Sequence, residues 1–252
     1  MSDISPCAAP EIISIPAPTG TARRIWIEIA VVCSVAVFPD LVHALQWVEH
    51  RLAGGASTTP YNFAQFAAAI VVRSVPAIVV TLFVIARSDL HWRDFGFRRF
   101  RIASDSLLAV VAVAGAYLAY YLAWYTLAPI LTRGGVTEQN AVRFDFPVPG
   151  RREWTLLVAM SVINGFAEEI VMRGFLITQL KRVLGSGAFA VFVTAAMFAG
   201  YHAYQGAAGV LAGAAMSIVF GVIFLRTRRF WPLALAHCLM DILGYLWLVL
   251  GR

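Results

Sequence analysis

The chain has 252 residues, 60% of them hydrophobic and only 13% charged, with a formal net charge of +6. Soluble domains hold about 25% charged residues, so this composition excludes an ordinary soluble enzyme and indicates a membrane protein with little mass outside the bilayer. The positive charge does not mark a nucleic-acid partner, because the basic residues lie between apolar runs, where membrane topology places them.

In chain order, residues 1–22 contain Pro6, Pro10, Pro16 and Pro18 and no apolar core. They are expected to form a disordered tail rather than a signal peptide. Residues 23–252 are expected to form a single transmembrane domain. A spanning helix needs about 20 mainly apolar residues, and the runs that qualify are 25–48, 63–86, 104–128, 154–178, 188–204, 208–225 and 231–250. The apolar stretch from Ala188 to Leu225 is too long for one helix, and Gln205-Gly206 is its natural break. The expected fold is therefore all-α and polytopic, with about seven transmembrane helices. Trp26, Trp47, Trp92, Trp154 and Trp231 fall at span ends, as an interfacial aromatic belt requires. Cys7, Cys33 and Cys238 give no disulfide framework. The connection 129–153, with three prolines, is the longest.

With the N-terminus inside, twelve Lys and Arg fall on inner segments and six on outer ones, while Arg73 and Arg173 lie within spans. The excess predicts a cytoplasmic N-terminus and a C-terminus on the opposite side.

Ionisable groups inside apolar spans are costly and mark function by default. The densest run is Glu168-Glu169-Ile170-Val171-Met172-Arg173 in the fourth span. Glu169 and Arg173 are i,i+4 with the acid first, the favourable order for an ion pair. Glu168 is turned about 100° from Glu169, so the two acids need not share a role. Gly185-Ser186-Gly187 suits a reversal between spans four and five. Glu168 lies 17 residues before Gly185 and His202 lies 17 after it, so in antiparallel helices the two stand at similar height. In the last span, His237 and Asp241 are again i,i+4; Asp241 approaches the same level, and His237 stands one turn nearer the inner face. Phe198, one turn before His202, is placed to wall a pocket. Arg73 is expected either to pair with an acid such as Glu169 or to line the cavity. Asp40 and His43 are expected to be solvated at the outer interface. Cys238 points about 100° away from His237 and is a poor candidate nucleophile.

The pattern Glu168-Glu169-xxx-Arg173, Phe198-xxx-His202 and His237-xxx-Asp241 resembles the three motifs of the CPBP family of polytopic intramembrane proteases, also called the CAAX protease and bacteriocin-processing family. The segment Trp92–Arg98 is similar to the basic linker that many members carry before a span. The family's last motif takes Asn or Asp at its final position; the eukaryotic CAAX proteases have Asn, and this chain has Asp241. The motif-bearing core is 154–250, and the active site is expected between helices four, five and seven. The resemblance implies catalytic roles for Glu168, His202, His237 and Asp241. Glu168 and His202 would activate a water, and His237 with residue 241 would support the oxyanion. Glu169, Arg173 and Phe198 would be supporting residues.

The cofactor is left open. Two histidines and a glutamate with an open position suit zinc, and any bound metal would take Glu168, His202 and His237. No His-Glu-x-x-His helix is present, and a metal-free water is the favoured reading. The expected partners are the lipid bilayer and a peptide or membrane-anchored protein substrate, CAAX-type C-terminal processing among them, in a bacterial plasma membrane. The competing readings are a non-catalytic membrane scaffold or bacteriocin-immunity protein that retains the motifs, and a proton-coupled transporter.

Overall fold

The structure is a computed structural model that describes residues 19–55, 63–133 and 150–250. Every regular element among the described residues is helical. The helices are α1 (Thr19–Ala36), α2 (Phe38–Leu52), α3 (Phe63–Ala86), α4 (Ile102–Arg133), α5 (Arg151–Glu169), α6 (Thr178–Leu184), α7 (Gly187–Tyr201), α8 (Gly206–Thr227) and α9 (Trp231–Leu250). A π-helical segment, Ile170–Ile177, joins α5 to α6, and short 3₁₀ turns occupy Trp92–Phe95 and Ala203–Gln205.

These helices lie along the expected apolar runs, but the candidate spans among the described residues number four or five, against the seven expected. Four helical stretches are long and apolar enough to cross a membrane, 63–86, 102–127, 151–184 and 203–227, and the bent α1–α2 pair adds a fifth if taken as one span. α7 is shorter, at 15 residues, or about 22 Å against a hydrocarbon core of about 30 Å. Large apolar side chains such as Leu107, Leu118, Phe192 and Trp247 face outward, which suits lipid and would be an aggregation hazard in water.

Three boundaries differ from the sequence reading. The first span is bent by 48° between α1 and α2, where Pro39 stands at the start of α2. Proline lacks the N–H and clashes with the carbonyl four residues back, so a straight helix cannot continue through it. Residues 19–22, expected as tail, form the first turn of α1; residues 1–18 lie outside the described residues. The connection expected at 129–153 is helical at both ends, because α4 runs to Arg133 and α5 starts at Arg151, and residues 134–149 lie outside the described residues.

Where the sequence reading placed reversals, the backbone supplies them. Gly185 closes α6 in the left-handed region (φ +71°), and the Ser186 hydroxyl accepts a bond from the Phe189 amide to start α7. Gly206 (φ +75°) opens α8 at the expected Gln205-Gly206 break.

α4 packs on α8 and α9, α5 on α9 and α3, and α7 on α8, around a core that includes Phe175, Phe198, Phe220 and Leu233. At one edge the segment after α3 docks on the α8–α9 turn. Arg229 binds both oxygens of Asp105 at 2.6 and 2.7 Å, and the Trp231 indole donates to the Arg98 carbonyl at 2.8 Å. These bonds fix the base of α9, and so the rotation of the residues it carries inward.

Candidate active site

α5 ends on Glu168 and Glu169, and the π-helical turn begins immediately after them. All eight residues of that turn are buried, and π turns cluster at functional positions. Arg173 lies wholly buried within it, with Nη1 at 2.9 Å from Glu169 Oε1. Its guanidinium lies between the rings of Phe198 and Phe220, at 5.0 and 5.3 Å from their centroids. A buried charge needs a partner, and here the carboxylate and two aromatic faces provide it.

His237, on α9, links this pair to the rest of the site. Its Nδ1–H donates to Glu169 Oε1 at 2.8 Å. Its Nε2 lies 3.2 Å from Glu168 Oε2 and 3.6 Å from Asp241 Oδ1. Gly165 on α5 permits this approach. A Cβ there would stand 3.0 Å from Cys238 Sγ, 3.1 Å from Cys238 N and 3.3 Å from His237 Cβ.

His202 caps the C-terminus of α7. Its Nδ1 lies 2.8 Å from the Phe198 carbonyl oxygen. A carbonyl only accepts, so Nδ1 carries the hydrogen and Nε2 is left as the open ring nitrogen. Phe198 walls both imidazoles, 4.6 Å from His202 and 6.0 Å from His237 between centroids. The same ring also covers Arg173, a task its motif position does not reveal.

Glu168, His237 and Asp241 thus meet directly between α5 and α9, with Glu169 and Arg173 beside them, while His202 on α7 is linked to His237 through the ring of Phe198 that both imidazoles share. Arg73, on α3, pairs with the acids Asp40 at 3.2 Å and Glu168 at 3.5 Å and also lines the cavity, the two roles the sequence left open. One expectation from the sequence needs correction. Asp40 faces this pair instead of standing free at the interface, because the bend at Pro39 turns the start of α2 inward. His43 lies beside Tyr204, with ring centroids 6.1 Å apart. Asn164 went unremarked in the sequence. It accepts from Arg73 at 2.9 Å and donates to Asp241 at 3.1 Å. The signal was available, since Asn164 sits one helical turn before Glu168 on the same face.

A cavity of about 20 Å³, with room for one water, lies on the Arg73 side of Glu168, lined among others by Asp40, Arg73, Glu168 and Tyr201 but not by His202, His237 or Asp241. Glu168 Oε2 is buried and makes no hydrogen bond among the described residues, and it stands 3.2 Å from His237 Nε2. Among the described residues, no three His, Cys, Asp or Glu side chains are grouped to hold an ion, and Asn164 and Arg73 already engage the outer oxygens of Asp241 and Glu168.

Fold and site together define an all-α, multi-pass membrane protein with a buried Glu–His centre. Residues 150–243 match the model of a protein family described as "Rce1-like: Type II CAAX prenyl endopeptidase Rce1-like". Through this motif-bearing segment the chain is similar to the CAAX prenyl endopeptidase family, in line with the resemblance that its three motifs carry. Comparisons with curated proteins and with solved structures found no match.

Proposed function

We propose that the protein is an intramembrane endopeptidase that hydrolyses a peptide bond of a membrane-associated substrate with a water activated by Glu168 and His202. The observation that carries this reading is the open, buried Oε2 of Glu168, 3.2 Å from His237 Nε2. A carboxylate oxygen at that depth calls for a partner, and a water held there would stand beside the His237 imidazole.

In this mechanism Glu168 takes a proton from the water as its oxygen attacks the carbonyl carbon. His202 Nε2 accepts the water's other hydrogen and aims the lone pair. His237 Nε2–H donates to the oxyanion, held in place by Glu169 on Nδ1 and by Asp241 beside Nε2. Glu168 returns its proton to the leaving nitrogen as the C–N bond breaks, which releases an amine and a carboxylic acid. Asp241, which accepts from Asn164, acts here as an orienting acceptor. No step passes through a metal. The substrate class is a peptide or membrane-anchored protein segment, with CAAX-type C-terminal processing the activity named for the matched family. The expected setting is a bacterial plasma membrane with the N-terminus cytoplasmic.

The test is cleavage of a reporter peptide by purified protein in detergent. Glu168→Gln and His202→Ala are each expected to lower kcat by about 10²- to 10⁴-fold, the range of general acid–base catalysis, with the fold retained. Chelator is expected to leave the rate unchanged. Parent-like cleavage by both variants sinks the water mechanism. Loss of activity with chelator and its return with zinc replaces that mechanism with a metal one.

A further inference from the structure

Arg73 lies in the middle of α3, outside the segment that matches the family. A cation at that depth is expensive and needs a reason. Its contacts give one. Nη1 donates to Asp40 Oδ1 at 3.2 Å, Nη2 donates to Asn164 Oδ1 at 2.9 Å, and Nη2 stands 3.5 Å from Glu168 Oε1. Asn164 Nδ2 in turn donates to Asp241 Oδ2 at 3.1 Å.

The two acids that flank His237 are thus held alike. Glu168 sets its outer oxygen 3.5 Å from Arg73 and its inner oxygen 3.2 Å from His237 Nε2; Asp241 accepts from Asn164 on its outer oxygen and sets its inner oxygen 3.6 Å from the same Nε2. One planar guanidinium therefore sets the carboxylate of Glu168 directly and that of Asp241 through Asn164. Lysine, a point charge on a flexible stem, lacks the rigid fork for this. Asp40 holds the far side of the fork, so the bent α1–α2 pair and α3 contribute to a site whose motifs all lie in α5, α7 and α9.

We infer that Arg73, anchored by Asp40, is a positioning residue that fixes Glu168 and, through Asn164, Asp241 in the orientation the hydrolysis requires. The inference rests on the endopeptidase reading above. Misplacement of about 1 Å at a reacting group can cost about 10²-fold, and a positioning loss falls on kcat rather than on substrate binding.

The experiment compares parent, Glu168→Gln, Arg73→Gln, Arg73→Lys and the double variant Asp40→Asn/Arg73→Gln in the reporter-peptide assay, each with its apparent unfolding temperature. Arg73→Gln is expected to lower kcat by about 10- to 100-fold with KM within about twofold. Arg73→Lys should recover part of that loss. The double variant leaves no unpaired Asp40 charge, so it should regain thermal stability while its kcat stays low. A parent-like kcat in Arg73→Gln overturns the inference, and so does a double variant that regains parent kcat, because Arg73 would then only neutralise Asp40. An inactive Glu168→Gln beside a fully active Arg73→Gln sinks this inference alone. Full activity in Glu168→Gln sinks the endopeptidase mechanism and this inference with it.

Discussion

Arg173 is the most exacting residue in the site, because its whole side chain is buried and its charge is answered by one carboxylate and two aromatic faces. Removing one partner of a buried pair leaves the other charge desolvated, at a cost of about 3–5 kcal/mol. Arg173→Met should therefore destabilise the protein by about that much, and Glu169→Gln/Arg173→Met should recover most of the loss. Urea unfolding in detergent measures both, and a single variant as stable as the parent would show that the pair is not structural. The pair was legible in the sequence because i,i+4 spacing fixes a neighbour through helix geometry alone. The partners of Arg73 were not. Asp40, Asn164 and Glu168 lie 33, 91 and 95 residues away along the chain, and no local period encodes which helices meet. Phe198 was half legible: its turn-wise spacing to His202 indicated a shared wall, but its place over Arg173 depends on how α7 meets the π turn.

At the scale of elements, the site depends on how closely α9 approaches α5. Gly165 is where that distance is set, since an added methyl would meet both the backbone and the side chain of Cys238. Gly165→Ala is expected to push α9 outward by a few tenths of an ångström and lower kcat about tenfold, given the steep dependence of rate on alignment. Adding Cys238→Ala removes the clash with Sγ but not the one with the backbone nitrogen, so the rate should recover only in part. Parent-like turnover in Gly165→Ala would mean the crossing is slack. Glycine at a helix crossing is a readable signal, whereas the π turn after Glu169 is not. Nothing in Ile170–Ile177 departs from ordinary helix formers except Gly174, and its complete burial means that packing sets the backbone there. The bend between α1 and α2 was written in Pro39, and reading the run as one hydropathy block hid it. That block average also hid the inward turn of Asp40.

Across the whole molecule, the short α7 explains the odd placement of α2. The Gly185 turn follows Lys181 and Arg182 in the last turn of α6, basic residues that place this end of α7 at the bilayer surface on the positive-inside reading. At 15 residues, its other end then stops about 8 Å short of the opposite surface. His202 and the 3₁₀ turn Ala203–Gln205 therefore fall at membrane depth. Irregular backbone there is tolerated only where protein covers it or where it lines a cavity. α2 supplies the cover, packing against α7 and this turn, with Leu41 seated over Gly200. The bend at Pro39 is thus what lets one apolar run both cross and cover, and it delivers Asp40 to Arg73 in the same movement. Cysteine labelling in intact vesicles tests this arrangement after Cys7, Cys33 and Cys238 are replaced by alanine. On the proposed topology with a cytoplasmic N-terminus, Ser186→Cys should react with a membrane-impermeant maleimide from the inner side and Ala53→Cys from the outer side. Gln205→Cys should react from neither side until detergent opens the bilayer. If Gln205→Cys is labelled from outside as fast as Ala53→Cys, the end of α7 is at the surface, and His202 works in bulk water rather than in the sheltered medium that would strengthen its hydrogen bonds to the reacting groups.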